Sequence, residues 1–138
     1  MTMRTVAAEQ RALTALFSGT WRGEETLFPS PFDPVGGRAF GTWVVRPILD
    51  GFFLEVDYTE EREGAAAYRG RGLHGWNAAA GSFGVLWLDS VGAMPSAPSR
   101  GRLEGSTYRY ESPAGQGGHT RFTYAFDGSR RHLTIELA

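Results

Sequence analysis

Residues 42–59 read TWVVRPILDGFFLEVDYT, and the way this stretch folds back on itself decides the architecture. Aromatic and β-branched residues flank Asp50-Gly51, the composition of two strands joined by a turn. A turn centred there pairs Pro47 with Leu54, Val45 with Val56 and Trp43 with Tyr58 on one face, and Arg46 with Glu55 and Thr42 with Thr59 on the other. One face is apolar and the other is charge-paired. A two-residue loop would need the N–H that Pro47 lacks, so a four-residue loop, Leu49 to Phe52, is expected with the same facing. A slip of one residue would turn every side chain to the other face, which is why this sorting argues for the register.

The same sorting recurs near the end of the chain. With Asp127 to Arg130 as the loop, Tyr124 meets Leu133 and Phe122 meets Ile135, while Thr123 meets Thr134 and Arg121 meets Glu136 behind. Gly, Pro, Asp-Gly and Asn break the chain about every ten residues after position 18, which reads as consecutive antiparallel strands, about nine of them. Before them, Val6, Leu13, Leu16 and Phe17 recur at helical spacing, with Ser18 and Gly19 closing one short helix. So many strands sharing one apolar face, with a single helix to cover it, must stack as two sheets or roll into a barrel. Up-and-down connectivity favours the barrel. The expected fold is therefore an all-β, antiparallel up-and-down β-barrel in one domain, residues 1–138, with the helix within 1–18 and strands from about 19 onward. The longest breaks, PSPFDPVGG (29–37) and VGAMPSAPS (91–99), are expected as flaps over an opening.

Composition removes several kinds of chemistry. There is no Cys, hence no disulfide, thiolate or cysteine metal site. All 14 basic residues are Arg, so a Schiff base, a lysine general base and a P-loop lysine are absent as well. A net charge of −1 gathers neither nucleic acid nor an anionic membrane. No apolar run approaches a membrane span and no secretory h-region follows Arg4, so a soluble cytoplasmic protein is expected. The three His, at 74, 119 and 132, lack the spacing of a metal site, and no cofactor is expected. The Gly-x-Gly of YRGRGLHG (68–75) lies in a hairpin with no helix after it and is no dinucleotide fingerprint.

Four segments, GTWRGEE (19–25), LDGFFLEVDY (49–58), YRGRGLHGWN (68–77) and LWLDS (86–90), resemble in that order a family of small bacterial proteins catalogued as a domain of unknown function. The resemblance spans Leu16 to about Glu136 and is to a branch of the calycin group, with lipocalins and fatty-acid-binding proteins, which implies a lipocalin-like barrel with an internal cavity. Gly19-Thr20-Trp21 also matches the lipocalin G-x-W signature, whose Trp plugs the barrel floor. Members of the family continue into an S-x-D-G-x-W segment and a final strand, where this chain stops at Ala138. An open edge after Thr134-Ile135-Glu136-Leu137 would favour a homodimer. The resemblance brings no established substrate or reaction.

In SGTWRGEETLF (18–28), the period of two that points Trp21 and Leu27 inward points Glu25 inward too. A carboxylate there must be hydrogen-bonded, paired with Arg, neutralised by a raised pKa, or placed at a wet mouth. A loop of Asn77 to Ala80 sets His74 opposite Phe83, Gly70 opposite Trp87 and Tyr68 opposite Asp89, with Gly70 and Gly72 making room for Trp87 and with Arg69 and Arg71 facing water. Glu25, Trp43, Tyr58, Tyr68, His74, Trp87, Asp89, Tyr110 and Tyr124 would then line an aromatic cup with polar groups, suited to a small apolar ligand. Three alternatives stand beside this. One is an enzyme using Glu25 or Asp89 with His74 as general acid and base. Another is haem binding as in the nitrobindins, through His132 in RHLTIEL, although the hairpin register sets His132 opposite Ala125 on the charge-paired face. The last is a filled structural barrel that acts through its dimer surface.

Overall fold

A computed structural model describes residues 4–27, 36–92, 94–95, 97–112 and 120–137, with Leu27 and Leu137 described in their backbone only. A helix, α1 (Ala8–Phe17), precedes strands β1 (Gly19–Leu27), β2 (Gly37–Ile48), β3 (Phe53–Arg62), β4 (Ala65–Asn77), β5 (Ser82–Asp89), β6 (Ser99–Glu104), β7 (Thr107–Glu111), β8 (Thr120–Asp127) and β9 (Arg130–Leu137). The nine strands make one antiparallel sheet in chain order, curled into a nearly closed barrel. Two hairpins follow the pairings their side chains demand. Trp43 faces Tyr58, Arg46 faces Glu55 and Pro47 faces Leu54 across β2 and β3, which leaves residues 49–52 as the loop. Across β8 and β9, Tyr124 faces Leu133 and Arg121 faces Glu136; Asp127 and Arg130 pair as well, so that turn is tighter than expected.

The β4–β5 hairpin corrects the expected register by two residues. Gly70 faces Asp89, Gly72 faces Trp87, His74 faces Val85 and Trp76 faces Phe83. The cause lies in the turn. Asn77 caps it, its Oδ1 accepting from the Ala80 N–H at 3.2 Å and its carbonyl from the Gly81 N–H at 2.9 Å. Gly81 takes a left-handed φ of 66°, so it belongs to the loop rather than to β5. A shift of two leaves the facing of every side chain intact. Gly70 and Gly72 still lie under Trp87, and a Cβ at Gly70 would collide with its ring. Arg69 and Arg71 are exposed, Arg71 in an ion pair with Asp57 at 3.2 Å.

The helix seals the barrel end that carries the β2–β3, β4–β5 and β8–β9 turns. It has no side-chain cap, so its apolar face holds it in place. Leu13 and Phe17 are buried, and each contributes about 1.5–3 kcal/mol by leaving water. The Phe17 ring lies 4.8 Å from that of Tyr124, 5.4 Å from Phe126 and 5.8 Å from the imidazole of His74. Gln10 is buried beside them. Its Nε2 donates to the His74 carbonyl at 3.2 Å and its Oε1 accepts from the Trp76 N–H at 2.8 Å. The β3 ladder ends at Phe53–Gly75, so this amide stands in for the missing strand.

Among the described residues β1 pairs with β2 alone and β9 with β8 alone. Arg131 reaches between these edges, its Nη2 donating to the Ser18 carbonyl at 3.4 Å while its guanidinium lies on the Trp21 indole and 4.9 Å from the Phe126 ring centre. Burial pulls its pKa down to about 10. The loops expected as flaps fall wholly or partly outside the described residues, as do the Leu27 side chain and His119. Among the described residues no helix is long and apolar enough to cross a membrane.

Candidate functional site

Alternation along the strands turns the expected residues inward, and the barrel then divides them between its two ends. Glu25, Trp43, Tyr58, Tyr68, Trp87 and Asp89 are half-buried, toward the end opposite the helix. His74, Tyr110 and Tyr124 are buried, and belong with the tyrosines and phenylalanines above the helix.

Two hydrogen-bonded sets make up the open end. In the first, the Tyr58 hydroxyl donates to Glu25 Oε1 at 2.6 Å and also lies 3.3 Å from Glu60 Oε1, while Arg62 Nε donates to Glu60 Oε2 at 3.3 Å. A phenol carries one proton, so it can serve only one carboxylate at a time. If Glu25 is itself protonated, it can donate to Tyr58, which then donates to Glu60. Desolvation raises the Glu25 pKa above its ordinary 4.5; the bond from Tyr58 opposes this, and the nearby Glu60 charge adds to it. Burial and the bond to Glu25 likewise raise that of Tyr58. In the second set, Trp87 Nε1 donates to the Tyr68 hydroxyl at 2.8 Å, and that hydroxyl donates to Asp89 Oδ2 at 2.8 Å. Aromatic rings join the two, with Tyr58 centred 4.9 Å from Trp43, 6.0 Å from Tyr68 and 6.2 Å from Trp87. Glycine backbone makes room: Gly41 carries the Glu25 carboxylate and the Trp43 ring where a Cβ would stand, as Gly70 carries Trp87.

The closed end contains a different chemistry. His74 Nδ1 and the Tyr108 hydroxyl share a hydrogen bond of 2.7 Å, and burial lowers the His74 pKa to about 3, which makes the imidazole neutral. Tyr110 stacks on Phe122 at 4.7 Å and on Tyr124 at 6.3 Å between ring centres. Desolvation raises all three phenols, Tyr124 to about 12.

No hydrogen bond among the described residues joins His74 to Glu25 or Asp89. His132 faces Ala125 with both residues exposed, which turns it away from the interior and removes haem ligation from inside through that residue. No group of three or more His, Asp or Glu among the described residues is arranged to hold a metal. Two interior polar residues went unrecognised in the sequence although the signal for each was present. Glu60 lies two positions from Tyr58 and Tyr108 two from Tyr110, each on the face already assigned inward.

A family profile matches residues 6–135, a span that includes α1 and every residue of both ends named above. The chain belongs to the family described as Protein of unknown function (DUF1579). The resemblance to a domain-of-unknown-function family is thereby met, and the DUF1579 match runs from the helix into β9. No curated protein matches the chain.

Proposed function

We propose that this DUF1579 protein is a calycin-like binding barrel that takes a small, largely apolar molecule at its open end, with the polar end of the ligand among Glu25, Tyr58 and Asp89. One observation carries the reading: at the open end the inward aromatic and acidic side chains stay half-exposed, whereas the helix end is dry. Half-exposed aromatic faces around a few fixed acceptors and donors are what a small apolar ligand needs for burial and orientation.

Trp43 and Trp87 report on this site directly. Titration with 1-naphthol and with decanol should shift tryptophan emission saturably, and Glu25→Gln should change the affinity for at least one of them several-fold. A saturable response to neither probe would overturn the proposal. Self-association through the β9 edge belongs to the same reading, since Ile135 is 54% exposed there. Sedimentation of a monomer at high concentration would remove that part alone.

A further inference from the structure

Outside the barrel wall, charge follows a rule with one exception. Arg46 faces Glu55, Arg71 faces Asp57 and Arg121 faces Glu111, each pair in contact at 2.7 to 3.2 Å. Across β6 and β7, however, Arg102 faces Arg109. It is the one directly opposed pair of like charges in the described ladders, and such a pair destabilises a sheet unless something lies between the charges. Arg100, two residues along β6, adds a third guanidinium to the same face, across from Glu111.

These cations line a groove rather than a flat surface. β5 pairs with β6 only over Phe83–Val85 and Ser99–Gly101, so β6 runs on past the start of β5. Between that stretch, the outer face of β7 and Ser82 lies a cavity of about 480 Å³. None of its acids stands directly opposite Arg102 or Arg109 in the ladders. Glu111 is drawn toward β8 by Arg121 at 2.8 Å, and Glu104 stands across from Thr107 at the end of the hairpin. Arg109 Nε donates to Thr123 Oγ1 of β8 at 3.3 Å, and its terminal nitrogens make no hydrogen bond among the described residues.

We propose that this groove binds a phosphate group, free or as the monoester of a small molecule, bridged between Arg102 and Arg109 with Arg100 and the Ser82 hydroxyl at its edge. A dianion between two guanidiniums turns the repulsion into charge-assisted hydrogen bonds, and the guanidinium fork suits phosphate oxygens. The site is separate from the interior of the barrel and stands without the ligand proposed there.

The test is thermal unfolding and calorimetric titration of the whole chain with inorganic phosphate, glycerol phosphate and acetate at constant ionic strength. Either phosphate should raise Tm and give a saturable heat that acetate does not match. A tighter fit for the ester would mark a phosphorylated metabolite as the source. Arg102→Gln and Arg109→Gln should each weaken phosphate binding at least tenfold, while Tm without phosphate stays equal or rises as the repulsion disappears. Equal phosphate responses in wild type and both variants, or an acetate response as large, would overturn the proposal. Amide shifts of Ser82 and Thr107 on phosphate addition give a second readout that does not depend on the variants; unmoved shifts at saturation would overturn it too.

Discussion

At the helix end of the barrel His74, Tyr108, Tyr110 and Tyr124 are enclosed, His74 and Tyr108 share a hydrogen bond, and burial holds the imidazole neutral. At the other end Glu25, Glu60 and Asp89 face the same interior on strands of the same alternation, yet Glu25 and Asp89 keep contact with solvent. The strands do not distinguish the two ends. What does is α1, which brings Leu13, Phe17 and Gln10 against one of them. A polar group that is sealed in must be neutral and paired, whereas one at a mouth can carry charge.

The largest effect expected from this contrast is in stability. Phe17→Ala should cost about 3–5 kcal/mol in denaturant unfolding, whereas Tyr58→Phe should cost about 1 kcal/mol, one hydrogen bond in a partly wet site. If Trp43→Ala proved as damaging as Phe17→Ala, the open end would be packed as tightly as the closed one and the contrast would fail.

The two ends should also answer pH with opposite signs. His74 titrates near 6.5 when unfolded and near 3 when folded, so its contribution is lost as pH falls through that interval. The slope approaches 1.4 kcal/mol per pH unit, about one proton, and should flatten in His74→Gln. For Glu25 the folded pKa is raised, so stability falls as pH climbs from the ordinary carboxylate value of 4.5 through the folded one. Glu25→Gln should remove that decline, a smaller effect because the group is half-exposed, and urea midpoints from pH 3 to 8 would separate the two slopes. An unchanged profile in both variants would show that neither end governs the pH response.

The smallest expected effect is in the loop that turns β2 into β3 at the closed end. Leu49 holds φ 50° and is 68% exposed, a left-handed conformation that its side chain does nothing to repay. Leu49→Gly should stabilise by about 0.5–1 kcal/mol, read as a higher Tm, and a loss of stability would show that Leu49 makes contacts the closed end depends on.

Facing was legible in the sequence because it is written with a period of two, and the two hairpins with opposed charges fixed their own registers. The β4–β5 hairpin had no such charges, and its turn was placed one residue early, which slides the pairing by two, because Gly81 reads as well at the start of a strand as at the end of a loop. Height along the barrel axis was less legible. His74 and Glu25 both point inward, but whether they meet depends on how far strands slide past one another around the wall, and no local pattern records that sum. Gln10 was invisible for another reason: it serves as a backbone partner for β4, and an amide on a short helix gives no sign of that.

Because among the described residues every strand bonds only to its immediate predecessor and successor in the chain, the sheet by itself resembles a row of dominoes, in which a hairpin at either extremity could open and close while the middle stands. Phe17 lies against rings from the fourth, seventh and eighth strands at once, so the helix couples distant members of that row. All-or-none unfolding would then rest on ten residues at the start of the fold, and without them amide exchange should be graded from the flanks toward β3 and β4.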